Sequence, residues 1–138
     1  MSGQLTLEVA TPERMLLKEQ VKGVTVPGLD GELGILPEHA PLLSELGCGP
    51  LSFELENGQK KYISICGGYV EVLPDHVRVL AAQAENASEI DAKRAETALQ
   101  RANERLLHPT ADLDVARALN ALKRAQARVA VAKIAAGR

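Results

Sequence analysis

Polar and apolar residues alternate along the N-terminal part of this chain. In residues 5–9 and 51–55 every second side chain is apolar, which is the pattern of a half-buried β-strand. Thr11-Pro12, Asn57-Gly58 and Pro74-Asp75 predict turns. Further short extended runs occupy residues 15–18, 21–26, 62–66, 69–73 and 77–81. About ten short strands separated by turns predict an N-terminal β-sandwich, or flattened barrel.

Residues 24–47 carry short apolar groups separated by glycine or proline. Pro27, Pro37 and Pro41 exclude a helix, because each removes a backbone donor and restricts the residue before it. We therefore expect a chain that turns corners between short strands. Three glycines are available for positive φ angles: Gly28, Gly31 and Gly34. The Gly67–Gly68 pair predicts a bulge or a close approach of two backbones.

Near Ala84 the apolar period changes from two to 3.6, which indicates helices. We expect Asn86 or Ser88 to cap a first helix that Pro109 ends, and Asp112 to cap a second helix that runs to about residue 136. The apolar face of the first helix is Ala95, Ala98, Leu99, Ala102 and Leu106. The stripe of the second is Val115, Leu119, Leu122 and Val129. Together they predict a C-terminal antiparallel αα-hairpin.

The predicted fold is therefore α+β, with a sandwich domain at residues 1–86 and a hairpin domain at residues 87–138. Ten alanines lie between positions 111 and 138, so the second helix has a narrow, close-packing surface. Alanine faces bury little apolar area, and isolated helices of this length are near the threshold of stability. We expect the hairpin to detach or refold at modest cost.

Composition restricts the function classes. Aromatic residues make up only 2% of the chain, without tryptophan, which argues against stacking on single-stranded nucleic acid. With no apolar run of about 20 residues and no apolar leader, we expect a soluble protein made in the cytoplasm. Cys48 and Cys66 are expected to be reduced thiols packed as small apolar residues. The three histidines are not spaced as zinc ligands. The sequence also lacks a nucleophile–base arrangement that would predict an enzyme.

Charge is divided between the two predicted domains. Residues 1–86 carry six Lys and Arg against twelve Asp and Glu, whereas residues 87–138 carry ten against six. Such asymmetry indicates modules with different partners, and the basic module is suited to an acidic surface or an anionic ligand.

Arginines follow one side of each predicted helix. Arg94, Arg101 and Arg105 are spaced at i, i+7 and i+11, and Arg117, Arg124 and Arg128 repeat this spacing. Folded back to back, the helices would converge several guanidinium groups on one anion, such as phosphate. The alternative is two solvated faces with pairs such as Asp91–Arg94 and Glu89–Lys93. The pattern alone leaves both interpretations open.

The segment VPGLDGELGILPEHAPLLSELG at residues 26–47 resembles the signature of the epsilon subunit of bacterial ATP synthase. The resemblance extends to residues 67–72 (GGYVEV) and 90–95 (IDAKRA), and so spans nearly the whole chain. It implies a non-catalytic subunit of the rotor, or central stalk, of a proton-translocating ATP synthase. Such a subunit couples rotation of the c-ring to the catalytic head and inhibits ATP hydrolysis through its C-terminal helices.

The resemblance also implies specific sites. The IDAKRA segment is similar to the motif with which bacterial epsilon subunits bind ATP in the folded-hairpin state, as a regulatory ligand rather than a required cofactor. The matching positions are Glu85, Ile90, Asp91, Arg94, Ala95, Arg101, Arg124 and Arg128. Glu32 and His39 match positions that contact the c-ring and the gamma subunit. The cations expected to approach the beta subunits are Arg117, Lys123, Arg124, Arg128 and Lys133, in a segment that also ends with Arg138.

The implied partners are gamma, the c-ring and the alpha and beta subunits, with no nucleic acid. The chain would meet the membrane only through the complex, as a peripheral protein on the cytoplasmic face of the bacterial plasma (inner) membrane. Two other classes stay open: a sandwich that binds a ligand and dimerises through its hairpin, and an enzyme of unknown type.

Overall fold

The computed structural model describes residues 4–137. Arg138, which the sequence analysis counted with the cations of the second helix, lies outside this range. Seven strands are present in the described part of the chain: β1 (Leu5–Ala10), β2 (Met15–Gly28), β3 (Gly31–Ile35), β4 (Leu42–Glu45), β5 (Cys48–Leu55), β6 (Lys60–Leu73) and β7 (His76–Asn86).

These strands form a flattened barrel. Their order is β1-β7-β6-β5-β2-β3, and a further pairing of β1 with β2 closes the circuit, while β4 pairs with β6. β1 is parallel to β7, and the other pairs are antiparallel. The predicted fold class, an N-terminal β-sandwich followed by two helices, is confirmed.

Alternation along the strands places one face of each in a common core. Leu5, Leu7 and Val9 are fully buried, whereas the intervening Thr6 and Glu8 are partly exposed. Because aromatic residues are scarce, aliphatic side chains fill nearly all of the core. Its largest fully buried members are Leu5, Leu7, Ile35, Leu51, Ile63 and Ile65.

The strands are fewer and longer than the sequence predicted. The expected short strands at residues 15–18 and 21–26 are one strand, β2, and those at 62–66 and 69–73 are one strand, β6. Gly67 and Gly68 keep β6 continuous with φ angles of 78° and 110°. A Cβ atom at Gly68 would collide with the carbonyl oxygen of Leu80, so the predicted close backbone approach is confirmed.

Of the three glycines proposed for positive φ in residues 24–47, only Gly31 adopts it, at 138°. Gly31 closes the tight connection between β2 and β3, where Gly28 is its pairing partner. Gly28 and Gly34 instead extend the paired strands, so the prediction was wrong for these two positions.

Two helices follow the sandwich: α1 (Ala92–Leu107) and α2 (Val115–Ala136). Asn86 caps a short 3-10 turn at Ala87–Glu89, and Asp91 caps α1 by accepting a hydrogen bond from the Arg94 N–H at 3.1 Å. The prediction of Asn86 or Ser88 as the cap of the first helix was therefore wrong. Within the described residues, neither helix combines the length and apolar character needed to cross a membrane.

Asp114, rather than the predicted Asp112, caps α2 by accepting from the Arg117 N–H at 3.1 Å. Asp112 instead accepts a hydrogen bond from Thr110 Oγ1 at 2.6 Å. Both aspartates have suitable chemistry for a cap. Only Asp114 directly precedes the first helical residue, so the helix begins two residues later than predicted.

The hairpin packs on the sandwich through α2, which contacts β5 and β6, and α1 packs on α2. The buried hairpin residues are small: Ala95, Ala102, Ala118, Ala125, Ala127, Val129 and Val131. The predicted stripe of α2 was wrong at two of its four positions. Val129 is buried and Leu122 is half-buried, but Val115 and Leu119 are exposed. A helix held closely between two partners needs small contact residues, so its larger side chains face outward.

Cys48 and Cys66 form a disulfide bond, which corrects the prediction of two reduced thiols. The register of β5 and β6 sets the two cysteines directly opposite each other. The two cysteines are 18 positions apart in sequence, and this spacing does not predict that they are adjacent in the fold. Both residues occupy outward-facing positions of these strands, since the alternate positions Leu51 and Ile65 are in the core.

On the outer surface of β1, Glu8 joins three strands. Its Oε1 atom accepts from Arg78 Nε at 3.1 Å and lies 2.9 Å from His76 Nε2, both on β7. Lys18 of β2 lies 3.6 Å from the other oxygen. Hydrogen bonds from His76 and then Arg78 lower the pKa of Glu8 to about 2. The ionised carboxylate therefore ties β7 to both β1 and β2.

This network predicts acid sensitivity. Because the pKa of Glu8 is depressed in the folded state, its contribution is fully present above the ordinary carboxyl pKa of about 4.3 and is lost as pH falls towards 2. We expect the free energy of unfolding to fall less steeply between these pH values in Glu8→Gln than in the wild type, as measured by urea unfolding at a series of pH values. Glu19→Gln, which removes an exposed carboxylate of β2, is the control. Equal slopes in the wild type and Glu8→Gln would contradict this role.

Residues 1–86 are expected to fold without the hairpin. The sandwich core lies within residues 5–84. Strand β6, which α2 contacts, includes the small side chain of Ser64, which is buried although it alternates with the core residues Ile63 and Ile65. Exposing the surface that α2 covers therefore removes little apolar burial, at about 25 cal/mol per Å². Urea unfolding followed by circular dichroism should show a cooperative transition for the truncated chain, with the full chain as control. A broad, non-cooperative transition would mean that the hairpin is needed for the sandwich to fold.

Candidate functional site: an arginine-lined cavity between hairpin and sandwich

A cavity of about 540 Å³ lies between the helical hairpin and the edge of the sandwich. Its volume is within the range of about 300–1,000 Å³ that is typical of ligand sites. Its walls come from five elements: the β1–β2 connection, strands β6 and β7, and both helices. The lining residues are Arg14, Ser64, Cys66, Gln83, Ala84, Glu85, Ala98, Arg101, Ala102, Arg105, Ala121, Arg124, Ala125 and Arg128. We call this space the arginine cavity.

The spacing of small and cationic residues on the helices creates the cavity. Arg101 and Arg105 are one turn apart on α1, as are Arg124 and Arg128 on α2. Alanines line the cavity beside these arginines on both helices: Ala98, Ala102, Ala121 and Ala125. Because these alanines leave space that larger side chains would fill, the guanidinium groups border an open volume.

The charge of the arginine cavity is strongly positive. Five guanidinium groups line it against one carboxylate, that of Glu85. Glu85 Oε1 accepts a hydrogen bond from Arg128 Nε at 2.8 Å, so one arginine of α2 is held by the last strand of the sandwich. Arginine is always protonated and presents a planar fork of donors, which suits phosphate and carboxylate groups. The cavity is therefore built for a multiply charged anion.

A second cavity of about 340 Å³ adjoins the first. It shares Ala98, Arg101 and Arg128 with the arginine cavity and adds Lys93 and Arg94. Both cavities thus draw on the same two shared guanidinium groups, and the positive surface extends along α1 towards its N-terminus.

Of the eight residues that the resemblance assigned to ATP, four line the arginine cavity and one lines only the adjoining cavity. Those that line the arginine cavity are Glu85, Arg101, Arg124 and Arg128, and Arg94 lines the adjoining one. Ile90, Asp91 and Ala95 line neither cavity. The carboxylate of Asp91 is occupied as the α1 cap, and Ala95 is fully buried.

Two lining arginines were outside the predicted set. Arg105 belongs to the stripe on α1, so its helical spacing already pointed to this side. Arg14 lies 75 positions from its partner, Glu89, and no sequence pattern connects them. Arg14 Nη2 donates to both oxygens of Glu89, at 2.9 and 3.1 Å, whereas the alternative of two solvated faces had paired Glu89 with Lys93. This contact raises the pKa of Arg14 and, with the Asn86 N–H, lowers the pKa of Glu89.

The residues predicted to contact other subunits lie elsewhere. Glu32 lies in β3 and is exposed, and His39 follows β3 and is half-buried. His39 Nδ1 lies 2.7 Å from the Ala40 carbonyl oxygen. Large apolar side chains are also exposed on the sandwich: Leu29, Leu36, Leu43, Tyr69 and Leu80. Tyr69 and Leu80 are direct neighbours across β6 and β7, a patch that the alternation pattern did not distinguish from ordinary strand surface.

The cations of α2 have two different surroundings. Arg124 and Arg128 are half-buried and line the arginine cavity, whereas Arg117, Lys123 and Lys133 are exposed and do not line it. One helix therefore presents arginines to the cavity and another set of cations to its surroundings.

Comparison with known proteins identifies relatives over the whole chain. The family model for the beta-sandwich domain of the ATP synthase delta/epsilon chain matches residues 4–87, and the model for the long alpha-helix domain of that chain matches residues 88–133. An ATP synthase epsilon chain of Solibacter usitatus is 54% identical over 132 residues, covering 96% of this chain and 98% of the relative. The epsilon chain of Syntrophobacter fumaroxidans is 46% identical over 134 residues, with coverages of 96% and 98%.

A solved structure is also similar over nearly the full length. A chain in the Euglena gracilis mitochondrial ATP synthase, determined with OSCP, F1 and the c-ring, matches with a TM-score of 0.81 and 26% identity. The match covers 99% of this chain and 82% of that one.

Proposed function

The chain belongs to the ATP synthase delta/epsilon family, and we propose that its hairpin restrains ATP hydrolysis when extended and is held folded by bound ATP. It is a non-catalytic epsilon subunit of the central stalk, and part of a membrane-associated ATP synthase. Family membership over both domains favours this role over a dimerising ligand-binding module or an unknown enzyme. The observation that carries the proposal is the arginine cavity, whose walls exist together only while the hairpin is folded on the sandwich.

The sandwich serves as the attachment to the rotor. The subunit has gamma, the c-ring and the catalytic head as partners, in keeping with the F1 and c-ring assembly of the Euglena relative. Glu32, His39 and exposed Leu36 form the surface for the c-ring and gamma, and Tyr69 and Leu80 supply a second apolar surface for gamma. Exposed apolar patches are typical of such docking sites. The subunit then lies on the cytoplasmic face of the bacterial plasma membrane without entering it.

ATP binds in the arginine cavity, where its phosphates replace Glu85 as the partner of Arg128 and contact Arg101 and Arg124. Charge-assisted hydrogen bonds from arginine forks favour phosphate over water. Arg94 and the adjoining cavity extend the positive surface for the rest of the ligand. Ile90, Asp91 and Ala95 act from the linker and the first turn of α1, by setting where that helix begins.

ATP binding should depend on the cavity arginines. Arg124→Ala combined with Arg128→Ala is expected to weaken binding at least about tenfold, because two charge-assisted contacts are lost. Calorimetry with millimolar ATP and no magnesium measures the affinity. Lys123→Ala combined with Lys133→Ala removes the same charge from the same helix outside the cavity, and should bind like the wild type. No heat with the wild type, or equal affinities of the two double variants, would remove the proposed ATP site.

The brake uses the cations of α2 that lie outside the arginine cavity. Arg117, Lys123 and Lys133 are exposed in the folded hairpin and are available to an acidic surface of the beta subunits once the hairpin extends. Arg124 and Arg128 join them in that state, because leaving the cavity frees both. From Val115 to Ala136 the helix contains no acidic residue, so an acidic partner relieves its self-repulsion.

Loss of the brake should be graded. Exposed ion pairs contribute about 0–1 kcal/mol each and are screened over about 8 Å at physiological salt. Changing Arg117, Lys123 and Lys133 together to Ala is therefore expected to raise ATP hydrolysis of the reconstituted complex severalfold at low salt, with each single variant giving less. The rate of ATP hydrolysis by the wild-type complex should rise towards that of the triple variant as salt is raised. Hydrolysis that stays fully restrained in the triple variant at both salt concentrations would point to steric blocking instead.

A further inference from the structure

The cations of the arginine cavity come unequally from the two parts of the molecule. Four belong to the hairpin: Arg101, Arg105, Arg124 and Arg128. On the sandwich side, the lining residues are neutral apart from Glu85 and a single cation, Arg14. An anion that contacts only the hairpin cations would hold α1 against α2 but would add nothing to the docking of the hairpin on the sandwich. Glu85 would oppose that docking, because its charge repels the anion once Arg128 turns away.

Arg14 is fixed in position by a tight connection between β1 and β2. The Thr11 N–H donates to the Arg14 carbonyl oxygen at 2.9 Å, and the Arg14 N–H lies 3.3 Å from Thr11 Oγ1. The backbone at Arg14 is therefore anchored to the sandwich, while its side chain reaches the cavity and the linker before α1.

The side chain has donors to spare. Its hydrogen bonds to described residues all use Nη2, which contacts both oxygens of Glu89. The guanidinium group has five N–H donors, so Nε and Nη1 remain for a second acceptor. The ion pair is also open to solvent, with side-chain exposures of 52% for Arg14 and 38% for Glu89. An exposed pair of this kind contributes little stability and is readily exchanged.

We propose that Arg14 is the contact through which the sandwich binds the phosphate groups of the cavity ligand, so that the bound anion bridges the sandwich and both helices. This inference rests on the proposed ATP site and specifies how its ligand holds the hairpin down. The polyphosphate joins Arg14 on one side to Arg101, Arg124 and Arg128 on the other. Glu89 competes with the ligand for Arg14, and its charge lowers the affinity of the site.

The experiment compares three variants of the full chain with the wild type. Arg14→Ala removes the sandwich contact, and Glu89→Gln removes the competing charge while keeping an oxygen that can accept from the Asn86 N–H. Arg78→Ala is the matched control, since Arg78 is also a half-exposed sandwich arginine paired with glutamates, on a surface outside the cavity. Calorimetry measures the affinities for ATP and for inorganic tripolyphosphate. Hydrogen exchange of α2 measures docking of the hairpin with and without each ligand.

Arg14→Ala is expected to bind both ligands about tenfold more weakly, the loss of one charge-assisted contact. Ligand-induced protection of α2 should be largely lost even at concentrations that saturate the variant. Glu89→Gln should bind both ligands more tightly than the wild type, and Arg78→Ala should match the wild type.

Each remaining outcome has a defined meaning. Wild-type affinity and protection in Arg14→Ala would overturn the bridging role while leaving the proposed ATP site standing. If Arg14→Ala lost affinity for ATP but not for tripolyphosphate, Arg14 would contact the nucleoside, and its assignment to the phosphate groups would be overturned. A wild type that binds neither ligand would overturn the ATP site and this inference together.

Discussion

The close contact of α2 with β5 and β6 is the constraint on which the rest of the structure depends. The buried side chains of α2 are all small, namely alanines and two valines, and Ser64 is a small buried residue of β6 on the sandwich. Small side chains let the helix approach the sheet closely enough for α1, which packs on α2, to overhang β6 and β7. The space beneath that overhang is the arginine cavity. Larger residues at these positions would bury more apolar area and hold the hairpin more firmly, but they would also move α1 outward and fill or open the cavity.

The same constraint gives α2 two different surfaces. Because alanines and valines occupy the contact, the cations lie outside it: Arg124 and Arg128 border the cavity, and Arg117, Lys123 and Lys133 are exposed. In the proposed function these two surfaces serve opposite states. The cavity arginines bind the ligand only while the hairpin is folded, and become available to the catalytic head only when it is not. The cavity and the catalytic head would therefore compete for the same arginines. Arg128, for example, cannot contact Glu85 or a phosphate group in the cavity while it contacts another subunit.

Much of the fold follows from the sequence because local physics determines it. Alternation of Leu5, Leu7 and Val9 predicts a buried strand face. Asn57-Gly58 predicts a turn between two strands, and the change of period near Ala84 predicts where the sandwich ends and the helices begin. The errors concern choices that tertiary contacts make. Asp112 and Asp114 are chemically equal caps, and the outward position of Leu119 reflects the closeness of the sandwich. The Cys48–Cys66 bond depends on the register of β5 with β6. The arginine stripes predicted the helical side of the site, but Arg14 joins it only through the fold, from 75 positions before Glu89.

A switch of this design works only if the docking energy and the ligand energy are similar in size. A ligand that binds only the docked hairpin stabilises it by RT ln(1 + [L]/Kd), which is about 2.7 kcal/mol at a hundredfold excess over Kd. That term reverses an equilibrium only when the undocked state is favoured by less than this amount, and it is superfluous when docking is already firm. The interface of α2 with the sandwich is made of alanines and two valines, which bury little apolar area per residue. The sandwich core contains leucines, isoleucines and valines, which bury more. In the proposed function, the interface that responds to the ligand is therefore the one at the hairpin, and the sandwich stays folded in both states.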